Sequence, residues 1–107
     1  MIPQPTKPLS ILLWNANGVR AHTNELTTIL QDKQIDVVLL SETHLTAHTN
    51  IQISGFHTYK TDHPSGRAQG GTAILIRSIL SHHLLPSTPT ENLQSTTIHL
   101  KSSSQSR

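Results

Sequence analysis

Ile11-Leu-Leu-Trp-Asn-Ala-Asn-Gly18 and Val37-Val-Leu-Leu-Ser-Glu-Thr-His44 decide how this chain folds. Each is a short apolar run that ends in a polar tip. About twenty residues separate the two runs, enough for one crossover helix. A strand, that helix and a second, parallel strand bring both tips to the same edge of a sheet, where α/β proteins keep their chemistry. Asn15, Asn17 and Glu42 then gather at that edge. Glu42 supplies the charge that a hard cation needs, since Mg2+ binds through few carboxylates and keeps several waters. The asparagine amides can orient a water or a phosphate oxygen. The same residues read equally well as a turn beside a solvated strand end.

Around this unit the pattern continues. Thr23 or Asn24 can cap the crossover helix, and Leu26, Ile29 and Leu30 give it one narrow apolar stripe. The runs Leu9–Trp14, Ile35–Ser41 and Thr72–Arg77 read as strands buried on both faces. Asp36 is expected to face water or to cap the entry of its strand. Thr43 to Ser54 reads as a polar loop with at most one helical turn. Phe56–Thr61 reads as a strand of mixed exposure, joined to Thr72–Arg77 through the glycine-containing loop Asp62–Gly71 as a long-looped hairpin. Ser78 to Leu85 is ambiguous, and Thr97–Leu100 is a weak strand. The polar stretch from Pro86 to Ser95 reads as mobile.

Bulk properties bound the rest. A chain of 107 residues is at most one small domain. With 34% hydrophobic and only 3% aromatic residues, its core must come from Ile, Leu and Val. A formal charge of +2 and a pI near 9.4 are compatible with a polyanionic partner, but no run of Lys and Arg argues for one. The absence of cysteine rules out disulfides and thiolate metal sites. No segment reads as a membrane span or a signal peptide, so an intracellular protein without a membrane partner is the expectation.

Three further features carry weaker chemistry. Asp62-His63 pairs a base with its orienter, although loop Asp and Pro usually serve turns. His44 and His48 lie four apart, a zinc-binding spacing on a helix, but in a segment that makes a poor helix and with no third ligand. Arg67, among Gly66, Gly70 and Gly71, can reach a phosphate; a solvated hairpin tip is the preferred reading.

Four segments in order resemble a known family: Ile11-Leu-Leu-Trp-Asn-Ala-Asn-Gly-Val-Arg20, Asp36-Val-Val-Leu-Leu-Ser-Glu-Thr-His-Leu45, Gly55-Phe56 and Gly70-Gly-Thr-Ala-Ile-Leu-Ile76. The pattern is similar to the start of an endonuclease/exonuclease/phosphatase domain, the DNase-I-like fold. It is closest to the apurinic-type endonucleases of non-LTR retrotransposons of jockey-like or LINE type. The resemblance implies an α/β fold, the N-terminal portion of a four-layer α/β sandwich, here incomplete. It divides the chain into an N-terminal tail (1–8), a partial domain (9–100) and a C-terminal tail (101–107), both tails disordered.

By position, the resemblance makes Asn15, Asn17 and Glu42 the catalytic set, with Glu42 as the metal ligand. Asn17 matches a position that is Asp in some relatives, so here it brings no charge to the metal. Arg67 and Arg20 become candidate nucleic-acid contacts. The implied cofactor is Mg2+, with Mn2+ as the alternative, and the implied substrate is DNA. In retrotransposon members the nick primes a reverse transcriptase further along the polyprotein, which implies action in the nucleus. The second half of the family's site, an active-site Tyr, an Asp-x-Asn tip and a Ser-Asp-His, has no counterpart after Arg77. The expectation is a fragment that is inactive alone, its sheet uncovered on one face. Two other readings remain: a non-catalytic nucleic-acid-binding module, and a fragment of another phosphatase or repair nuclease of the superfamily.

Overall fold

The computed structural model describes residues 8–101. The expected tails, 1–8 and 101–107, fall almost wholly outside them. Eight elements follow in order. They are β1 (Ile11–Asn15), a 3-10 turn (Val19–His22), α1 (Thr23–Asp32), β2 (Val37–Ser41), β3 (Phe56–Thr61), β4 (Thr72–Arg77), β5 (His82–Leu85) and β6 (Thr97–Leu100). The first four strands form one sheet in the order β1-β2-β4-β3, and β5 and β6 form a separate hairpin.

The predicted crossover is present. β1 and β2 run parallel with Ile11 opposite Val37 and Asn15 opposite Ser41, so their C-terminal tips share one rim. β3 and β4 form the predicted antiparallel hairpin, and β4 also pairs with β2. Helix α1 starts where expected, but neither Thr23 nor Asn24 caps it. The 3-10 turn feeds directly into it, and His22 Nδ1 meets Glu25 Oε1 at 2.8 Å. Its far end closes with Gln34 at φ 53° and the Ile35 N–H bonded to Leu30 O. Leu26 and Leu30 are buried, whereas Ile29, expected in the stripe, is 40% exposed.

One face of the sheet is fully packed. Leu26 and Leu30 of α1 meet Val38, Leu40, Ala73 and Leu75, with Leu12 and Trp14 of β1 against them. The loop after β2 completes this core. Read from sequence as polar, it forms no helical turn and buries Leu45, Ile51 and Ile53. Its apolar side chains are too widely spaced to register as an element.

The other face is half covered. Val37, Ile74 and Ile76 pack with Leu39, Tyr59, Leu80 of the β4–β5 turn and Ile98 of the β5–β6 hairpin. Tyr59 Oη lies 2.8 Å from His82 Nε2, while His82 Nδ1 lies 2.7 Å from the carbonyl of Leu80. A carbonyl only accepts, so Nδ1 carries the proton and Tyr59 donates to Nε2. Beyond the hairpin's reach the face is open: Ile11 is 54% and Leu13 75% exposed. Burial on both faces therefore holds for β2 and β4 but not for β1, an edge strand whose outward residues meet no second layer. A shallow groove of about 310 Å3 beside it is lined by Leu13, Leu39, Ile74, Thr72, Gln94 and Thr96, among others.

Asp36 does more than cap a strand. It is 6% exposed, accepts the Ser10 N–H at 2.9 Å and meets Arg77 Nε at 3.3 Å. Its backbone N–H donates to Ser10 O and its carbonyl accepts from Arg77 N–H. One residue thus ties β1, β2 and β4 together at the base of the sheet. Asp36→Ala, which strands Arg77, is expected to lower stability in urea denaturation by about 2–4 kcal/mol. Leu13→Lys, on the open face, is expected to change it by less than about 0.5 kcal/mol while reducing self-association in sedimentation.

Candidate functional site at the sheet rim

The rim is built by backbone hydrogen bonds that continue the strands past their ends. Ala16 N–H donates to Ser41 O at 2.9 Å, Gly18 N–H to Glu42 O at 2.8 Å and Val19 N–H to Thr43 O at 3.0 Å. On the other side of β2, the N–H groups of Thr43 and His44 donate to the carbonyls of Gly71 and Gly70. The tips of β1, β2 and β4 are therefore one stitched surface. Asn15 stands opposite Ser41, the residue before Glu42, on neighbouring strands whose axes lie about 4.8 Å apart, so both fall on this rim.

Three non-glycine residues of this rim adopt left-handed backbone angles: Asn17 (φ 46°), Glu42 (φ 52°) and His44 (φ 56°). Such conformations cost on the order of 1 kcal/mol each and persist where surrounding bonds over-determine them. Here the bonds to Gly18, Gly70 and Gly71 do so. The Glu42 side chain is half exposed at 51%, and its Oε1 lies 3.4 Å from His44 Nε2. Asn15 and Asn17 are also exposed. One exposed carboxylate and two exposed amides on the same rim are donor types that suit a Mg2+ that keeps most of its waters and takes its remaining ligands from a phosphate. Among the described residues no three His, Cys, Asp or Glu side chains gather as a fuller metal cage.

Other sequence candidates separate from this cluster. Arg20, on the 3-10 turn just past Gly18, is exposed at the same end of the sheet. Arg67 is exposed on the β3–β4 loop, whose base at Gly70–Gly71 joins the rim. Asp62 does not orient His63. Its Oδ2 takes Lys60 Nζ at 2.6 Å, and its Oδ1 is buried without a partner among the described residues. His63 accepts from the Ser65 N–H at Nδ1, so its Nε2 carries the proton and donates to Glu91 O at 3.1 Å. These contacts are turn chemistry. His44 and His48 do not share a helical face, because their segment is irregular and His44 turns to Glu42 instead.

The sequence left one supporting layer unseen. The stretch before β6, read as mobile, is clamped to the rim by side chains. Gln94 Oε1 accepts from Gly71 N–H at 3.0 Å while its amide donates to the carbonyls of Thr90 and Glu91. Thr61 Oγ1 donates to Ser95 O, and Thr96 Oγ1 lies 2.9 Å from the hydroxyls of both Thr61 and Thr72. Isolated Gln, Ser and Thr carry no periodic signal, so only the tertiary structure reveals the clamp.

Comparison with known proteins agrees with this architecture. Residues 12–103 match the model of the Endonuclease/Exonuclease/phosphatase family. The chain is 41% identical over 100 residues to the RNA-directed DNA polymerase from mobile element jockey of Drosophila melanogaster, covering 94% of this chain and 11% of that protein. It is 42% identical over 88 residues to the probable RNA-directed DNA polymerase from transposon X-element of the same fly, covering 81% of this chain and 10% of the other. The chain thus spans about a tenth of the relatives it matches. The solved AP endonuclease from Archaeoglobus fulgidus superposes with a TM-score of 0.58 at 19% identity, over 72% of this chain and 32% of that one. That similarity supports the fold: a mixed α/β sheet forming part of a DNase-I-like domain.

The rim's geometry rests on Gly71. At φ +87°, an added Cβ would lie 2.6 Å from Thr43 Oγ1 and 3.4 Å from Thr61 O. Gly71→Ala is expected to destabilise the chain by about 1–3 kcal/mol. The largest amide shifts in its NMR spectrum should fall at residues 42–44, across the β2–β4 junction.

Proposed function

Because this chain belongs to the endonuclease/exonuclease/phosphatase family, we propose that it is part of the DNA-nicking region of a non-LTR retrotransposon polyprotein. The observation that carries the proposal is the juxtaposition of Asn15 and Glu42 on one rim, beside exposed Arg20. Glu42 would hold the metal, Mg2+ or Mn2+, and the metal when bound supplies charge neutralisation at the scissile phosphodiester. The Asn15 amide donates to a non-bridging phosphate oxygen. The Asn17 amide, two residues beyond Asn15 and uncharged, orients water or phosphate without adding to the metal's charge balance. Arg20 and Arg67 hold the flanking backbone phosphates as cations, which fixes register rather than reading sequence. In that role the protein works on chromosomal DNA in the nucleus, and the freed 3′-hydroxyl primes the reverse transcriptase of the same polypeptide.

Cleavage needs more than this rim offers. In-line attack requires an activated water and a donor for the leaving oxygen. Among the described residues the rim supplies one carboxylate, two amides and one imidazole, His44, whose Nε2 lies 3.4 Å from the carboxylate proposed to hold the metal. We therefore propose that the chain binds metal and DNA but does not hydrolyse it alone. Binding without cleavage is also what a nucleic-acid-binding module would show. The two readings part at Glu42: a nuclease remnant loses divalent-metal binding on Glu42→Gln, whereas a simple basic module keeps its DNA affinity unchanged with or without metal.

The test is nicking of supercoiled plasmid with Mg2+. The chain alone is expected to leave the plasmid intact. The same chain continued into the length of its relatives' nuclease region is expected to nick, and Glu42→Gln there should reduce the rate by about 10^3-fold or more. Glu42-dependent nicking by the isolated chain would overturn the inactivity claim. Full activity of the extended Glu42→Gln variant would overturn the site.

A further inference from the structure

The β5–β6 hairpin carries a second feature, unrelated to the rim. His83 and His99 stand directly opposite each other on its antiparallel strands. Residues in that relation hold their Cβ atoms about 4.5–5.5 Å apart. His82 and Ile98 turn inward, His82 to Tyr59 and Ile98 into the apolar cluster. By the alternation of the strands, His83 and His99 face outward, and both are exposed. Their ring centroids are 5.2 Å apart, with the ring planes at 77°.

Their nitrogens are also available. His22 is engaged by Glu25, His44 by Glu42 and His63 by Ser65, and both nitrogens of His82 are used. Neither His83 nor His99 hydrogen-bonds to a described residue, so no protein contact must break before a ligand binds there.

We propose that His83 and His99 form a two-histidine site for Zn2+. The separation allows both rings to reach a single tetrahedral ion. With Zn–N bonds of about 2.0–2.1 Å, the metal lies roughly 3.2 Å from each imidazole centroid, and an angle of about 109° then sets the centroids about 5.2 Å apart. The rings, which now meet edge to face with centroids 5.2 Å apart, stand within that reach once they turn a nitrogen each toward one point. Imidazole nitrogen also suits zinc and not magnesium, which takes oxygen. The site is thus chemically distinct from the carboxylate rim and stands whether or not the nuclease reading holds. Two waters complete the coordination. Because the ligands come from opposite strands, the ion bridges the hairpin and stabilises it, since it binds the folded form and not the separated strands.

The experiment is a calorimetric Zn2+ titration of the chain, with histidine proton NMR on the same samples. One zinc per chain is expected. The ring resonances of His83 and His99 should shift together, and millimolar Mg2+ should not displace the zinc. His83→Asn and His99→Asn should each weaken binding by about tenfold or more, and the double variant should bind no more tightly than either. Both side chains are exposed, so the variants should keep the wild-type circular dichroism. The wild-type NMR titration gives an answer independent of the variants. Zinc shifts confined to His22, His44 or His48, or equal zinc affinity in wild type and both variants, would overturn the proposal.

Discussion

The fold depends on one buried carboxylate at the foot of the sheet. Asp36 takes the Ser10 N–H, meets the Arg77 guanidinium and exchanges backbone bonds with both neighbouring strands. Register in a sheet has a period of two, so a slip of one residue would turn every side chain to the opposite face. By fixing Ser10, Asp36 and Arg77 to one another, this residue sets β1 and β4 against β2 at one end. Five residues later the same alignment delivers Asn15 opposite Ser41 and Thr72 opposite Ser41 from the other side. The functional rim is the far end of a ladder whose first rung is Asp36. A charge buried for this purpose adds little net stability, because its desolvation offsets the pairing. Its effect is on which alignment wins.

Above that ladder the rim is held in a conformation its residues do not prefer. Glu42, His44 and Asn17 sit at positive φ, and the cost is met by bonds from Gly18, Gly70 and Gly71, with Gln94 behind Gly71. The opposite face of the same sheet tells of a different constraint. Ile11 and Leu13 remain open because the β5–β6 hairpin reaches only as far as β2. A four-layer sandwich needs a second sheet there, and the described residues supply two short strands.

Much of this was legible in the sequence. The apolar runs at 11–14 and 37–40, with a helix-length gap between them, give the parallel crossover, and the hairpin through Gly70–Gly71 follows from its turn residues. Co-location of Asn15 and Glu42 is a direct consequence of that topology. The family resemblance, resting on four ordered segments, is matched by the family model and by the jockey-type relatives. What stayed hidden depends on contacts between residues far apart in the chain. Asp36 looked like a solvated strand start because its partners, Ser10 and Arg77, carry no pattern that links them to it. Leu45, Ile51 and Ile53 were passed over because irregular spacing leaves no period to detect. Pro86–Ser95 looked loose because its anchors are single polar side chains. The pairing of His83 with His99 required a register that no local signal specifies. The roles of Asn15, Asn17 and Glu42 at a metal rest on residue chemistry and position.

That role has a direct measurement. Paramagnetic Mn2+, added in small amounts to the isotope-labelled chain, broadens NMR signals within about 10–15 Å of where it binds, falling steeply with distance, and hard oxygen ligands are what it seeks. The account predicts that the side-chain amide of Asn15 and the backbone signals of residues 41–44 broaden together at the lowest metal concentration, and that Glu42→Gln abolishes the effect at both strands. Broadening that leaves Asn15 sharp, or that survives the loss of the Glu42 charge, would contradict it.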